Sequence, residues 1–305
     1  MARRRRGLPV NGVLLLDKPK GASSNHALQR ARRLLQAQKA GHTGTLDPMA
    51  TGLLPVCLGE ATKFSAHLLE ADKVYRTRVQ LGAVTDTGDA EGEVVERCDV
   101  PPLTAEDVER VLERFRGEID QTPPMYSALK HQGRKLYELA REGKSVERAV
   151  RRVTVYHARL LAFESDAFEL EARVSKGTYI RTLAEDIGRA LGCGAHITAL
   201  RRLATGPFDS EGMLALDALE ALPGQSEREA ALLPVDVLVA HLPRLDVNEA
   251  ARQRLMHGQA AGVEPTALAP GATARLYSGE VFIGLGVVKG PQEVAPKRLL
   301  STAAD

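Results

Sequence analysis

The chain has 305 residues, 44% of them hydrophobic and 26% charged, with a formal net charge of +2. This balance excludes an intrinsically disordered chain, and no apolar run approaches the roughly 18 residues of a membrane helix; the length suits one large domain plus a smaller one. Cys57, Cys98 and Cys193 form no C-x-x-C pair and no metal-ligand spacing, so they read as small hydrophobes in a reducing, cytoplasmic compartment rather than as redox or zinc groups.

Arg3 to Arg6 open the chain as a basic run without the apolar stretch of a secretory signal. "NGVLLLDKPKG" predicts a buried strand over Val13 to Leu16, stopped by Pro19 and Gly21. Ser23 or Ser24 then caps a helix with Leu28, Ala31 and Leu35 inward and Arg30, Arg32 and Arg33 outward. "GHTGTLDPMATG" reads as a loop in which Asp47 before Pro48 starts a turn and Gly41, Gly44 and Gly52 supply positive φ. "VYRTRVQL", residues 74–81, alternates strictly, which makes a strand with Tyr75, Thr77, Val79 and Leu81 on its apolar face. Thr104 with Asp107 forms a capping box for a helix bearing Val108, Val111, Leu112 and Phe115. "FELEARVS", residues 168–175, is a second alternating strand. It runs into "KGTYIRTLAEDIGRAL", where Thr178 is placed to cap a helix with Ile180, Leu183, Ala184, Ile187 and Leu191 inward. Tyr179 and Arg181 then fall at the strand-to-helix junction, a rigid support for functional groups. After about residue 208 come Ala/Leu-rich helices and Pro-bounded linkers. From about 245 we expect a helix from Asn248 to a stop at Gly258, then two strands about a Ser-Gly-Glu turn, together a small separate domain.

Charge is segregated along the chain. Residues 1–40 carry ten Arg/Lys against Asp17 alone and residues 129–152 eight against three acids, whereas residues 86–120 hold twelve acids and four bases. One surface therefore suits a polyanion while another faces away from it, although charge alone fits solvated helix faces equally well.

Three stretches, "GHTGTLDPMATGLLPVCLGEATK", "DKVYRTRVQLGAVTDTGDAEG" and "SKGTYIRTLAEDIG", in this order and spacing, resemble the bacterial tRNA pseudouridine synthases that act on uridine 55 of the T arm, the TruB family. The likeness includes "NGVLLLDKPKGASSN", "PPMYSALKHQGRKLYELAREG" and "LGCGAHITALRRLATGPF", and spans about residues 9–208. The C-terminal piece resembles the small PUA-type RNA-binding barrel more loosely, and the leading Arg run lies outside the pattern. The resemblance implies an α+β fold: a mixed, mainly antiparallel sheet with flanking helices over residues 9–244 and a PUA-like β-barrel over 245–305; residues 1–8 read as a basic tail. It makes Asp47 the catalytic aspartate, Tyr75 the tyrosine that stacks on the target base, and Arg181 the partner of the aspartate. His42 matches a residue that takes the place of the extruded nucleotide, Leu200 an apolar pocket residue, and Lys18 and Pro19 the family's first motif. Gly44, Thr45, Lys130, Lys176 and Tyr179 lie in the matching motifs and are expected at the substrate.

The chemistry agrees. Forming pseudouridine breaks the bond from C1′ to N1 and rejoins the base through C5, so no electron, phosphate or external atom enters. No G-x-G-x-x-G, G-x-x-x-x-G-K-[ST] or H-E-x-x-H motif is present, and no cofactor or metal is expected. A single ionised carboxylate suffices to attack the sugar, add to the ring or stabilise an elimination. The target base must leave its stack, at a cost of a few kcal/mol, roughly 1 to 3 of which a tyrosine face returns. The expected partner is the T stem-loop of tRNA, met by a monomer without helper protein, guide RNA or membrane. A tRNA chaperone, a guide-RNA-dependent relative and a glycoside hydrolase built on Asp47 are the rival readings; for the last, Glu185 and Asp186 supply no matching second carboxylate motif.

Overall fold

The computed structural model describes residues 7–301. The Arg3 to Arg6 run lies outside them. In chain order, β1 (Gly12–Lys18), α1 (Ser24–Leu34), β2 (Ala40–His42) and β3 (Thr51–Leu58) precede α2 (Ala66–Leu69), β4 (Lys73–Leu81), β5 (Ala83–Thr85) and β6 (Val94–Arg97). Next come α3 (Ala105–Glu113), β7 (Gly117–Gln121), the short pair β8 (Lys130–His131) and β9 (Arg134–Lys135), and α4 (Leu136–Arg141). Then follow β10 (Arg151–Phe163), β11 (Ala167–Val174), α5 (Ile180–Ala190), β12 (Ala195–Thr205), β13 (Leu214–Ala215), α6 (Leu216–Ala221) and α7 (Gln225–Ala230). The chain ends in β14 (Arg244–Asp246), α8 (Glu249–Met256), β15 (Ala261–Gly262), β16 (Thr273–Ser278), β17 (Val281–Gly290) and β18 (Glu293–Leu299).

The large sheet runs β13-β1-β3-β12-β4-β11-β10-β7, with β2 added against β3. Only the β1–β13 and β3–β12 contacts in it are parallel, so the sheet is mixed and mainly antiparallel. One face buries Leu14, Leu16, Leu54, Val56, Val79, Phe168 and Leu170 against α1, α3 and α5, whose inward residues include Leu28, Leu112, Leu183 and Ile187. Along β1 and β3 the opposite face is also covered: Val13, Leu15, Leu53, Cys57, Phe64 and Leu68 join one hydrophobic cluster with Leu238, Leu245, Leu276, Ile283 and Leu285. Burial on both faces is why "VLLL" reads as an unbroken apolar run instead of alternating. In that cluster burial pushes the Cys57 thiol up to about 12, an inert small hydrophobe.

The five-stranded sheet β14-β16-β17-β18-β15 is C-terminal, and its end strands do not pair, so it is a curled half-barrel. Asn248 caps α8 by accepting the Ala251 N–H, and Gly258 follows at φ +79°. Ser23, not Ser24, caps α1, and Thr104 with Asp107 makes the expected capping box. Two local expectations fail. Gly41 lies in β2, paired with Cys57, without positive φ, whereas Gly44 and Gly52 do have it. At Gly52 a Cβ would stand 2.3 Å from the Arg202 carbonyl oxygen, so only glycine lets β3 and β12 meet. Thr178 does not cap α5: its hydroxyl donates to the Ser175 carbonyl at 2.9 Å, and the helix starts after Tyr179 with no side-chain cap.

Candidate active site

A cavity of about 390 Å³ opens where the loop between β2 and β3, the start of α5, and the centres of β4 and β12 converge. Gly44, Thr45, Asp47, Tyr75, Tyr179, Arg181 and Leu200 line it, seven of the residues expected at the site. The sheet order explains the meeting: β12 lies between β3 and β4, with Leu200 beside Thr77 and Arg202 beside Tyr75 on the same face.

Arg181 is 4% exposed, and its Nε lies 3.0 Å from Asp47 Oδ2. Its other nitrogens are committed elsewhere: Nη1 donates to the Thr87 carbonyl and Nη2 to the Tyr126 carbonyl, both at 2.7 Å. Asp89 Oδ2 stands 3.7 Å from Nη1. The guanidinium thus meets Asp47 through one edge, while two carbonyls fix its plane. Asp47 keeps a third of its side chain open to the cavity. Burial raises its carboxyl pKa and the Asp89 charge adds to the rise; Arg181 chiefly opposes this, and Lys18 adds to the opposition.

A direct consequence concerns Arg181→Lys. An ammonium cannot serve two carbonyls and Asp47 from one plane, so the compensating charge loosens while the burial persists. The pKa of Asp47 then rises further, and the acid limb of a pH–rate profile that needs the ionised carboxylate moves to higher pH. We expect that upward move together with a loss in kcat/KM on the order of 10²-fold; an unmoved acid limb would remove the pairing.

The remaining expected residues lie behind or beside the cavity. Lys18 is fully buried, and its Nζ donates to the carbonyls of Pro19, Ala22 and Pro48, the last at 3.2 Å. Burial lowers its pKa to about 8, which leaves it cationic at neutral pH. It braces the Asp47 loop from below, and Pro19 belongs to the same turn. His42 is on β2, outside the cavity wall; burial, then Arg202, depresses its pKa, which favours the neutral imidazole. Lys176 is exposed at the rim in an ion pair with Glu70, and Lys130 is exposed on the β8–β9 hairpin, one residue beyond Leu129, which does line the cavity.

The motifs matched above assign no role to several residues that the fold brings in. Arg202 is 1% exposed; its Nε donates to the Leu53 carbonyl at 2.7 Å and its Nη2 to the Gly44 carbonyl at 3.4 Å, so it ties both shoulders of the Asp47 loop to β12. Lys73 lines the cavity with its Nζ on the carbonyls of Leu68, Leu69 and Ala71, and burial followed by Arg202 lowers it to about 8. Gln121, 2% exposed, accepts the Tyr179 N–H at 3.0 Å and donates to the Tyr179 carbonyl at 3.3 Å, which fixes the junction before α5. Leu69 offers an exposed apolar lip. Their surroundings, which come from distant strands, are what distinguish them. Among the described residues no group of His, Cys, Asp and Glu is arranged to hold a metal ion, and no helix is long and apolar enough to cross a membrane.

Residues 32–180 match the family described as TruB family pseudouridylate synthase (N terminal domain), residues 181–240 the tRNA pseudouridylate synthase B C-terminal domain, and residues 243–300 Pseudouridine synthase II TruB, C-terminal. The tRNA pseudouridine synthase B of Chromohalobacter salexigens is 67% identical over 304 residues, covering 100% of this chain and 99% of that protein. The chain belongs to the TruB family. A further TruB relative, the tRNA pseudouridine synthase B of Azoarcus sp. strain BH72, is 54% identical and covers 96% of each chain. Among solved structures, a Cbf5-Nop10-Gar1 complex matches with a TM-score of 0.71 at 26% identity over 98% of this chain and 90% of that one. The TruB matches run past residue 208 to the C-terminal half-barrel, further than the motifs in the sequence reach.

Proposed function

We propose that this chain isomerises a uridine of tRNA to pseudouridine, that the uridine is position 55 of the T arm, and that Asp47, Tyr75 and Arg181 carry the chemistry. The observation that carries this reading is the Asp47 carboxylate, open to the cavity and held 3.0 Å from Arg181 Nε beside Tyr75. The flipped base enters the cavity, the bond from C1′ to N1 breaks, and C1′ joins C5; the hydrogen on C5 leaves as a proton and N1 gains one, so the product is an isomer. Arg181 favours the ionised form of Asp47 for that step. Tyr75 offers its ring to the base, Leu200 and Tyr179 close the walls, and Gly44 and Thr45 lie beside the sugar. His42 fills the gap that the flipped nucleotide leaves, and Lys130 and Lys176 face the RNA backbone from the rim.

The domain division that accompanies this reading is a basic tail over 1–8, a catalytic unit over 9–244 and an RNA-binding unit over 245–305. The enzyme works as a monomer in the cytoplasm, without guide RNA or helper protein. The test is purified protein with an unmodified tRNA transcript and no other component, read out for pseudouridine and its position. Absence of product would leave the chaperone or guide-dependent readings; product at another uridine would overturn the assignment to position 55.

Tyr75 separates stacking from chemistry. Tyr75→Phe keeps the ring face and is expected to keep RNA affinity, whereas Tyr75→Ala should weaken binding by roughly 1 to 3 kcal/mol and lose rate with it. Single-turnover assays alongside binding titrations check this. Near-normal rates in both variants would make Tyr75 a core residue only.

A further inference from the structure

Asp47 has little backbone support of its own: its carbonyl accepts the Ala50 N–H at 3.1 Å. Its two neighbours are held instead by the β1–α1 connection and the first residue of α1. After it, the Pro48 carbonyl accepts from the Gly21 N–H at 2.8 Å and from Lys18 Nζ at 3.2 Å. Before it, one hydroxyl does both jobs. Ser24 Oγ accepts the Leu46 N–H at 2.8 Å and donates to the Leu46 carbonyl at 3.0 Å.

Ser24 is 2% exposed and Leu46 3%, so water does not compete for these groups. Leu46 lies in a loop without strand pairing, and a buried N–H and C=O there would otherwise lack partners. The helix does not need this hydroxyl. Ser23 is the N-cap and accepts the His26 N–H at 3.1 Å, which leaves Ser24 free to serve the loop. The two adjacent serines have divided the work between helix and loop.

We propose that Ser24 is a positioning residue that fixes Asp47 against Arg181 by locking both backbone groups of Leu46. With Leu46 tied to the start of α1 and Pro48 to the end of β1 and the turn after it, the side chain between them has one direction, toward the cavity and the Arg181 edge. Without the hydroxyl the loop gains freedom, the Asp47–Arg181 contact lengthens, and burial acts on the carboxyl with less opposition. The effect on turnover rests on the proposed function; the effect on the carboxyl does not.

The experiment uses the full chain with ¹³C-labelled aspartate, the Asp47 carboxyl signal being assigned by its absence in Asp47→Asn. Ser24→Ala removes the hydroxyl; Ser24→Cys keeps its approximate volume with a thiol that bonds weakly, and guards against a packing defect. In both, the Asp47 carboxyl is expected to titrate at higher pH than in the parent. Single-turnover pseudouridine formation is expected to fall about ten- to hundredfold with RNA affinity retained. Parental titration and rate in either folded variant, or a loss confined to affinity, would overturn the assignment. The titration is read on free protein, so it decides the role of Ser24 even if the parent makes no pseudouridine, an outcome that would count against the proposed function instead.

Discussion

Asp47→Asn is expected to reduce pseudouridine formation by at least about 10³-fold while tRNA binding stays equal or tightens. The amide has nearly the shape of the carboxylate and its oxygen can still accept from Arg181 Nε, so the cavity keeps its form. What disappears is the negative charge, and each route open to the reaction needs it: attack on the sugar, addition to the ring, or stabilisation of an elimination. The same charge repels a polyanion, so its loss does not weaken binding. Single-turnover assays at saturating enzyme, with a parallel binding titration, give both quantities. A rate within tenfold of the parent would show that Asp47 is a turn residue and that the chemistry lies elsewhere in the cavity.

The residues expected at the site sit in long contiguous motifs, and seven of them line one cavity; how they meet was not legible in the sequence. Periodicity placed Tyr75 on the apolar face of a strand and Arg181 at a junction, and both are there. The insertion of β12 between β3 and β4 is a non-local pairing with no local signal, and it sets Leu200 and Arg202 beside Thr77 and Tyr75. Arg202 looks like any arginine in "LRRL", yet it is almost wholly buried and bonded to the Gly44 carbonyl of the Asp47 loop and the Leu53 carbonyl of β3. Burial of a charge depends on what the rest of the chain brings over it. Thr178 failed as a cap for a related reason: Gln121, from β7, holds the backbone of Tyr179 and sets where α5 starts. Composition showed the change of texture after residue 208, but not that the apolar residues beyond it complete a core begun by Val13 and Leu15.

That shared core decides the second large effect. From the sequence, a chain ended near residue 244 should have its tRNA binding weakened more than its bound reaction is slowed, with a flatter salt dependence of affinity. The hydrophobic cluster adds a stronger expectation. One hydrophobic cluster takes in Leu276, Ile283, Leu285 and Val294 together with Val13, Leu15, Leu53, Phe64 and Leu68, and the Phe64 and Phe282 rings stand 5.6 Å apart between centroids. Removing the C-terminal strands would take their apolar side chains out of this cluster and uncover Phe64, while Leu238 and Val239 remain. The truncated chain is therefore expected to show a large drop in thermal midpoint and a tendency to aggregate before its RNA affinity can be compared. Phe64→Ala measures the same interface without removing any RNA contact. The ring is 1% exposed, and its loss should cost about 3 to 5 kcal/mol in reversible denaturant unfolding. A truncated chain that melts with the parent, together with a Phe64→Ala cost below about 1 kcal/mol, would show the half-barrel to be an appendage stable apart from the catalytic sheet. Salt titrations of the truncated chain would then report RNA contacts alone.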